Sequence, residues 1–128
     1  MTNFERVQEF HRAFGQRCLS TPGIPDAELK KLRDDLIDEE RDELKIALDA
    51  GDVVKVADAL ADILYVVYGT ADTYGIPIDA CFREVHRSNM AKLDENGKPI
   101  KRADGKFLKP PGWTPPDIAG VLGIKKGN

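Results

Sequence analysis

The sequence predicts an all-α protein of the four-helix-bundle type, closed by a small C-terminal β-hairpin and a proline-rich tail. Three observations carry that prediction. Leucines and alanines recur at helical spacing through residues 27–49. Residues 53–74, VVKVADALADILYVVYGTADTY, are apolar almost all round, as a central bundle helix is. Prolines and glycines fall at the ends of such segments, at residues 20–25, Gly51, Gly75 and Pro77.

A first helix is expected over about residues 3–19, with Phe4, Val7, His11, Phe14 and Cys18 along one stripe, ending before Ser20-Thr21-Pro22-Gly23-Ile24-Pro25. The second follows from Ala27 to Asp49, with Asp26 as its N-cap and Ala50-Gly51 as its stop. The turn to the third, from near Asp52 to Thr73, is so short that these two helices must be antiparallel neighbours. A fourth is expected over residues 78–93, its apolar side carrying Phe82, Val85 and Met90. Beyond it, Asp94-Glu95-Asn96-Gly97 and Asp104-Gly105 are turn signals, and residues 100–102 and 106–108 suit the arms of a hairpin. The tail, with Pro110, Pro111, Trp113, Pro115 and Pro116, is expected to pack on a neighbouring surface, Trp113 anchoring it.

The 128 residues, carrying a net charge of −3 and 41% hydrophobic side chains, suit one ordinary domain over residues 1–128, helical over about 3–93. No apolar stretch is long enough to span a membrane or resemble a leader, and Cys18 and Cys81 have no zinc-like spacing. Free thiols and a cytoplasmic protein are the expectation. Charge is unevenly shared. Residues 26–52 hold eleven acids and five bases, whereas residues 87–109 hold seven bases and three acids, a division that suits a cation-bound polyphosphate.

The second helix is anomalous. With about 100° of turn per residue, Leu29, Leu32 and Ala47 fall within about 40° of Leu36 around the axis. Glu43 lies about 20° to one side of Leu36, Glu40 about 40° to the other, and Glu39 about 60° to the first side, so acids and leucines share a face. The third helix repeats the pattern with Asp58 and Asp62 one turn apart, near Tyr65 and Gly69. Carboxylates turned toward a core need cations, hydrogen bonds or protons, and a divalent metal serves several at once.

Glu39-Glu40-Arg41-Asp42-Glu43, an EExxE, followed by ADALADILYVVYGTA and then HRSNMAK, resembles the all-α nucleoside triphosphate pyrophosphohydrolases. That superfamily includes MazG-like proteins, dimeric dUTPases and phosphoribosyl-ATP pyrophosphohydrolase. The resemblance covers Val7 to Asp117. It implies hydrolysis of a nucleoside triphosphate to monophosphate and pyrophosphate with Mg2+ or Mn2+, the ion neutralising the phosphates and activating water. It implies Glu40, Glu43 and Asp62 as metal ligands, with Glu39 holding a second ion or taking the water's proton. The family's third-helix motif is ExxD; here Ala59 stands three before Asp62, and Asp58, four before, is the nearest carboxylate. Asn89 and Lys92 match an NxxK pattern that implies a base or sugar contact and a phosphate contact. Local charge adds Arg87, Lys98, Arg102, Lys106 and Lys109, and the base pocket draws on His11, Phe14, Asn89 and Tyr65. Among substrates dUTP comes first, then dCTP, with phosphoribosyl-ATP a rival. The family, together with a third helix more apolar than its partners can cover, points to a homodimer or dimer of dimers.

Other classes fit less well. A di-iron bundle needs Glu-x-x-His pairs, but Gln8 and Arg83 stand three before His11 and His86. A nucleic-acid module lacks a basic recognition helix, and a membrane protein lacks a span. A helical adaptor leaves the inward-facing acids unexplained.

Overall fold

Thr2 opens the first helix. Its hydroxyl accepts from the Glu5 N–H while the Glu5 carboxylate accepts from the Thr2 N–H, and this reciprocal cap starts α1 (Asn3–Ala13). The structure, a computed structural model, describes residues 1–125. The sequence expectation carried α1 to residue 19; the structure ends it at Ala13. Gly15 takes φ +70°, and the N–H groups of Gly15 and Gln16 donate back to Arg12 O and His11 O, closing the last turn. Phe14 and Cys18 therefore lie beyond the helix, and Phe14 is exposed.

The next two helices follow their sequence signals. α2 (Ala27–Ala50) starts on Asp26, whose carboxylate accepts from the Leu29 N–H at 2.9 Å, and stops at Gly51, φ +67°. α3 (Val53–Thr73) starts at once on Asp52, which accepts from the Val54 and Lys55 N–H groups. The tight connection makes them antiparallel. Arg33, early in α2, reaches Thr70 Oγ1 at 3.2 Å and Val66 O at 3.0 Å, late in α3.

Small residues let these helices approach: Ala59, Gly69, Ala71 and Thr73 are the buried positions of α3. A Cβ at Gly69 would overlap the Arg33 guanidinium. α1 packs on α3 through buried Val7, with Phe4 against Tyr68 and Phe10 edge-on to Tyr65 at 5.7 Å. The stretch after α1 is tied to the end of α3 by Leu19 N–H to Thr73 O and Gly23 N–H to Tyr74 O. Several large apolar residues of α3 face outward, Leu60, Leu64 and Val67 being 46%, 54% and 40% exposed.

These elements form one compact unit, Met1–Ile78; a second begins at Asp79. In it, α4 (Ile78–Met90) ends three residues sooner than expected, and bonds from Lys92 and Leu93 to carbonyls three residues back tighten the final turn. The expected apolar side of α4 is also not the buried one. Cys81 and Ser88 are buried, whereas Phe82, Val85 and Met90 are exposed. The tail decides this: Trp113 Nε1 donates to Ser88 O at 2.7 Å, and the Asp117 N–H donates to Glu84 Oε1 at 2.9 Å. Cys81, Glu84 and Ser88 share one line of the helix, within about 60°.

The hairpin forms as expected. β1 (Ile100–Lys101) and β2 (Phe107–Leu108) pair antiparallel, Ile100 opposite Leu108, with Gly105 at φ +87° in the turn. The tail adds a short helix the sequence expectation lacked, α5 (Ile118–Leu122), between an Asp117 cap on the Gly120 N–H and Gly123 at φ +70°. Among the described residues no helix is long and apolar enough to cross a membrane.

Candidate active site

Glu40 and Glu43 of α2 and Asp62 of α3 each offer a carboxylate oxygen, and the three oxygens lie within 4.8 Å of one another. The helix pairing explains why. Leu29, Arg33 and Ala47 are the buried residues of α2. Around the axis Leu29 and Ala47 sit about 20° from Leu36 on the Glu40 side, and Arg33 sits about 60° from it on that same side. The buried arc is thus centred about 40° from Leu36 rather than on it. Glu40 falls at the centre of this arc and is half-buried, while Glu43 lies about 40° beyond its near edge and is exposed.

No cation among the described residues answers this charge within hydrogen-bonding reach of the buried Glu40 oxygen: Oε2 has no hydrogen-bond partner. Desolvation first, then the neighbouring Glu43 and Asp62 carboxylates, and least of all Glu39, push the Glu40 carboxyl above the ordinary glutamate range. An orphaned buried oxygen among three converging carboxylates fits a hard divalent cation, which takes oxygen ligands.

The remaining expected residues fall in several places. Glu39 is exposed on α2 next to Glu40, and Asp58 is exposed on α3, outside the three-oxygen cluster. Phe14 stacks on Phe10 at 4.3 Å, and with Tyr65, 42% exposed, they present an aromatic patch. In the second unit Lys92 Nζ donates to Asn89 Oδ1 at 3.1 Å. Both line a cavity of about 390 Å³ walled by Leu93, Pro99, Ile100, Phe107 and Leu108. Lys109 Nζ lies 4.3 Å from the Trp113 ring and Lys92 Nζ 5.8 Å from it. Arg87 instead closes a two-pronged ion pair on Glu84, at 2.8 and 3.0 Å, so much of its charge is already answered. Arg102 likewise pairs with Asp104. Lys98, before β1, and Lys106, between β1 and β2, are exposed.

Sequence reasoning missed Arg33 and Asp72. Arg33 is 5% exposed and donates to Thr70 and Val66. Its signal was its place seven residues before Glu40 and fourteen before Ala47, on one helical line. Asp72 accepts from Gln8 Nε2 at 3.4 Å, and its Oδ2 lies 2.8 Å from Nδ1 of buried His11. No local pattern marks that pair, since 61 residues separate the partners.

Comparison with known proteins adds to this geometry. The sequence pattern described as phosphoribosyl-ATP pyrophosphohydrolase matches residues 7–89, which include all of α2 and α3. Uncharacterized protein L479 of Acanthamoeba polyphaga mimivirus is 36% identical over 102 residues, 77% of this chain but 38% of that protein, so the chain spans well under half of this relative. Among solved structures, a proposed NTP pyrophosphohydrolase from Exiguobacterium sp. 255-15 is 26% identical and superposes with a TM-score of 0.47, over 91% of this chain and 90% of that one.

Proposed function

The chain belongs to the phosphoribosyl-ATP pyrophosphohydrolase family, and from that premise we propose that it hydrolyses a nucleoside triphosphate to the monophosphate and pyrophosphate, using Mg2+ or Mn2+. The observation that carries the reading is the orphaned Glu40 oxygen among converging carboxylates. Glu40, Glu43 and Asp62 would hold the cation. When bound, it would offset the charge of the phosphates and acidify the attacking water.

The chain's own groups do the rest. Glu39, exposed beside Glu40, takes the water's proton. Lys92 offers its ammonium to the departing pyrophosphate, and Asn89 its amide to the base or sugar. The apolar walls of their cavity suit a flat ring. Phe14 and Tyr65 offer a second aromatic surface, whereas His11 is engaged by Asp72. As part of the same reading, we take residues 1–128 as one functional domain. We assign it to the cytoplasm, in keeping with the free thiols of Cys18 and Cys81. dUTP is the first substrate to test, because the resemblance implies a bundle shared with the dimeric dUTPase-like proteins. Phosphoribosyl-ATP is the second reading, favoured by the family pattern itself. A homodimer or dimer of dimers is part of the proposal, supported by the outward Leu60, Leu64 and Val67.

The test is pyrophosphate release from a panel of nucleoside triphosphates and phosphoribosyl-ATP, with and without Mg2+ or Mn2+. Metal-dependent release from one compound is expected, reduced at least about a hundredfold in Glu43→Gln with helical signal retained. Silence across the panel, with no thermal stabilisation by either metal, would return the protein to the adaptor reading.

A further inference from the structure

We propose a second metal site, for a zinc-class ion, formed by His11 Nδ1, Cys18 Sγ and Asp72 Oδ2. It uses none of the carboxylates assigned to the hydrolytic site and does not depend on that assignment. Donor spacing is the first argument. Sγ lies 3.4 Å from Nδ1 and 3.3 Å from Oδ2, and Nδ1 lies 2.8 Å from Oδ2. Bond lengths of tetrahedral zinc require sulfur edges of about 3.5 Å and a nitrogen–oxygen edge of about 3.3 Å. The sulfur edges are already close to those values. Only the hydrogen-bonded His11–Asp72 edge must open, by about half an ångström.

Chemistry is the second argument. Thiolate, imidazole and carboxylate form a mixed set that prefers zinc over the hard ions an all-oxygen cluster takes. Support is the third. His11 is 5% exposed, Gln8 Nε2 holds the other Asp72 oxygen, and the Leu19–Thr73 backbone bond pins the residue after Cys18 to the end of α3. Cys18 itself is exposed, leaving an open side for water as fourth ligand.

Without metal the Cys18 thiol donates to Asp72, and partial desolvation of the sulfur together with that bond pushes its pKa up to about 11. Binding therefore releases one proton from sulfur, and the Nδ1 proton that His11 donates to Asp72 without metal moves to Nε2, so that Nδ1 presents its lone pair. Arg33, whose charge acts on both Cys18 and Asp72, favours the thiolate while opposing the cation, so moderate affinity is expected.

Co2+ is the probe, titrated into the full chain carrying Glu43→Gln with excess Mg2+ present. One equivalent should give a thiolate-to-cobalt charge-transfer band in the near-ultraviolet. Cys18→Ser should abolish it and weaken binding at least about tenfold, while Cys81→Ser should leave it intact. A spectrum without the band, or one that disappears with Cys81→Ser instead, overturns the site. A second measurement needs no variant. Zn2+ should slow alkylation of Cys18 in the wild-type chain, read by mass spectrometry, and unchanged labelling would equally overturn the proposal.

Discussion

Among individual side chains, Glu40 is where the fold is set against itself. Its carboxyl is raised chiefly by desolvation and then by Glu43 and Asp62, so the neutral form is the better tolerated one. A group whose folded pKa is raised contributes stability that is fully present below its unfolded pKa and lost as pH rises through the folded value. Near neutral pH, then, the cation-free protein carries a cost at this position. Glu40→Gln should melt a few degrees above wild type near neutral pH without divalent cation. The gap should close as pH falls below the ordinary glutamate range, and Mg2+ or Mn2+ should raise wild type but not the variant. Melting curves across pH with and without Mg2+ check this, and equal melting near neutral pH would show the charge to be well solvated. Glu5, Asp26, Glu84 and Asp104 are shifted the opposite way by their hydrogen bonds, so overall stability should still fall in acid; the difference between the two proteins isolates Glu40.

Between elements, the contact that sets α2 against α3 is Arg33 lying over Gly69. The guanidinium bonds Thr70 and Val66, two turns of α2 before Glu40, and so fixes the register that brings Glu40 and Glu43 to Asp62. Replacing a helical glycine by alanine ordinarily stabilises by about 1 kcal/mol. Here the added Cβ would overlap the guanidinium and lie 3.3 Å from His11 Nε2. Displacing Arg33 forfeits charge-assisted bonds of about 1.5–3 kcal/mol each. Gly69→Ala should therefore destabilise by about 2 kcal/mol net, measured by urea unfolding, and should weaken Mn2+-induced stabilisation as the carboxylates lose register. Stability at or above wild type would show that Arg33 moves aside freely. The helix limits themselves were legible wherever a short-range device set them: Asp26, Gly51 and Asp52 act within four residues of the ends they fix. The end of α1 falls at the Gly15 turn, ahead of the stronger proline signal at residues 20–25, because one left-handed glycine suffices to close the helix. The buried side of α4 was not legible at all, because a tail about 25 residues away chooses it.

For the molecule as a whole, the outward apolar residues of α3 bear on assembly. Leu60, Leu64 and Val67 recur at helical spacing on a helix whose inward positions are filled by small residues. On the proposed dimer, wild type should sediment as at least a dimer, and Leu64→Glu should shift it toward monomer while keeping its helical signal. A wild-type monomer at micromolar concentration would remove the assembly proposal without touching the carboxylate site. Periodicity and capping between near neighbours were enough to specify the helical class, the α2–α3 hairpin, the β-hairpin and the presence of acids on a leucine face. Three outcomes came from the assembled fold instead: Arg33 is buried, Glu40 rather than Glu39 or Asp58 carries the orphaned oxygen, and His11, Cys18 and Asp72 meet. They depend on which arc of a helix its partner covers, to within tens of degrees, and on contacts across more than fifty residues of chain. Local propensity carries no information about either.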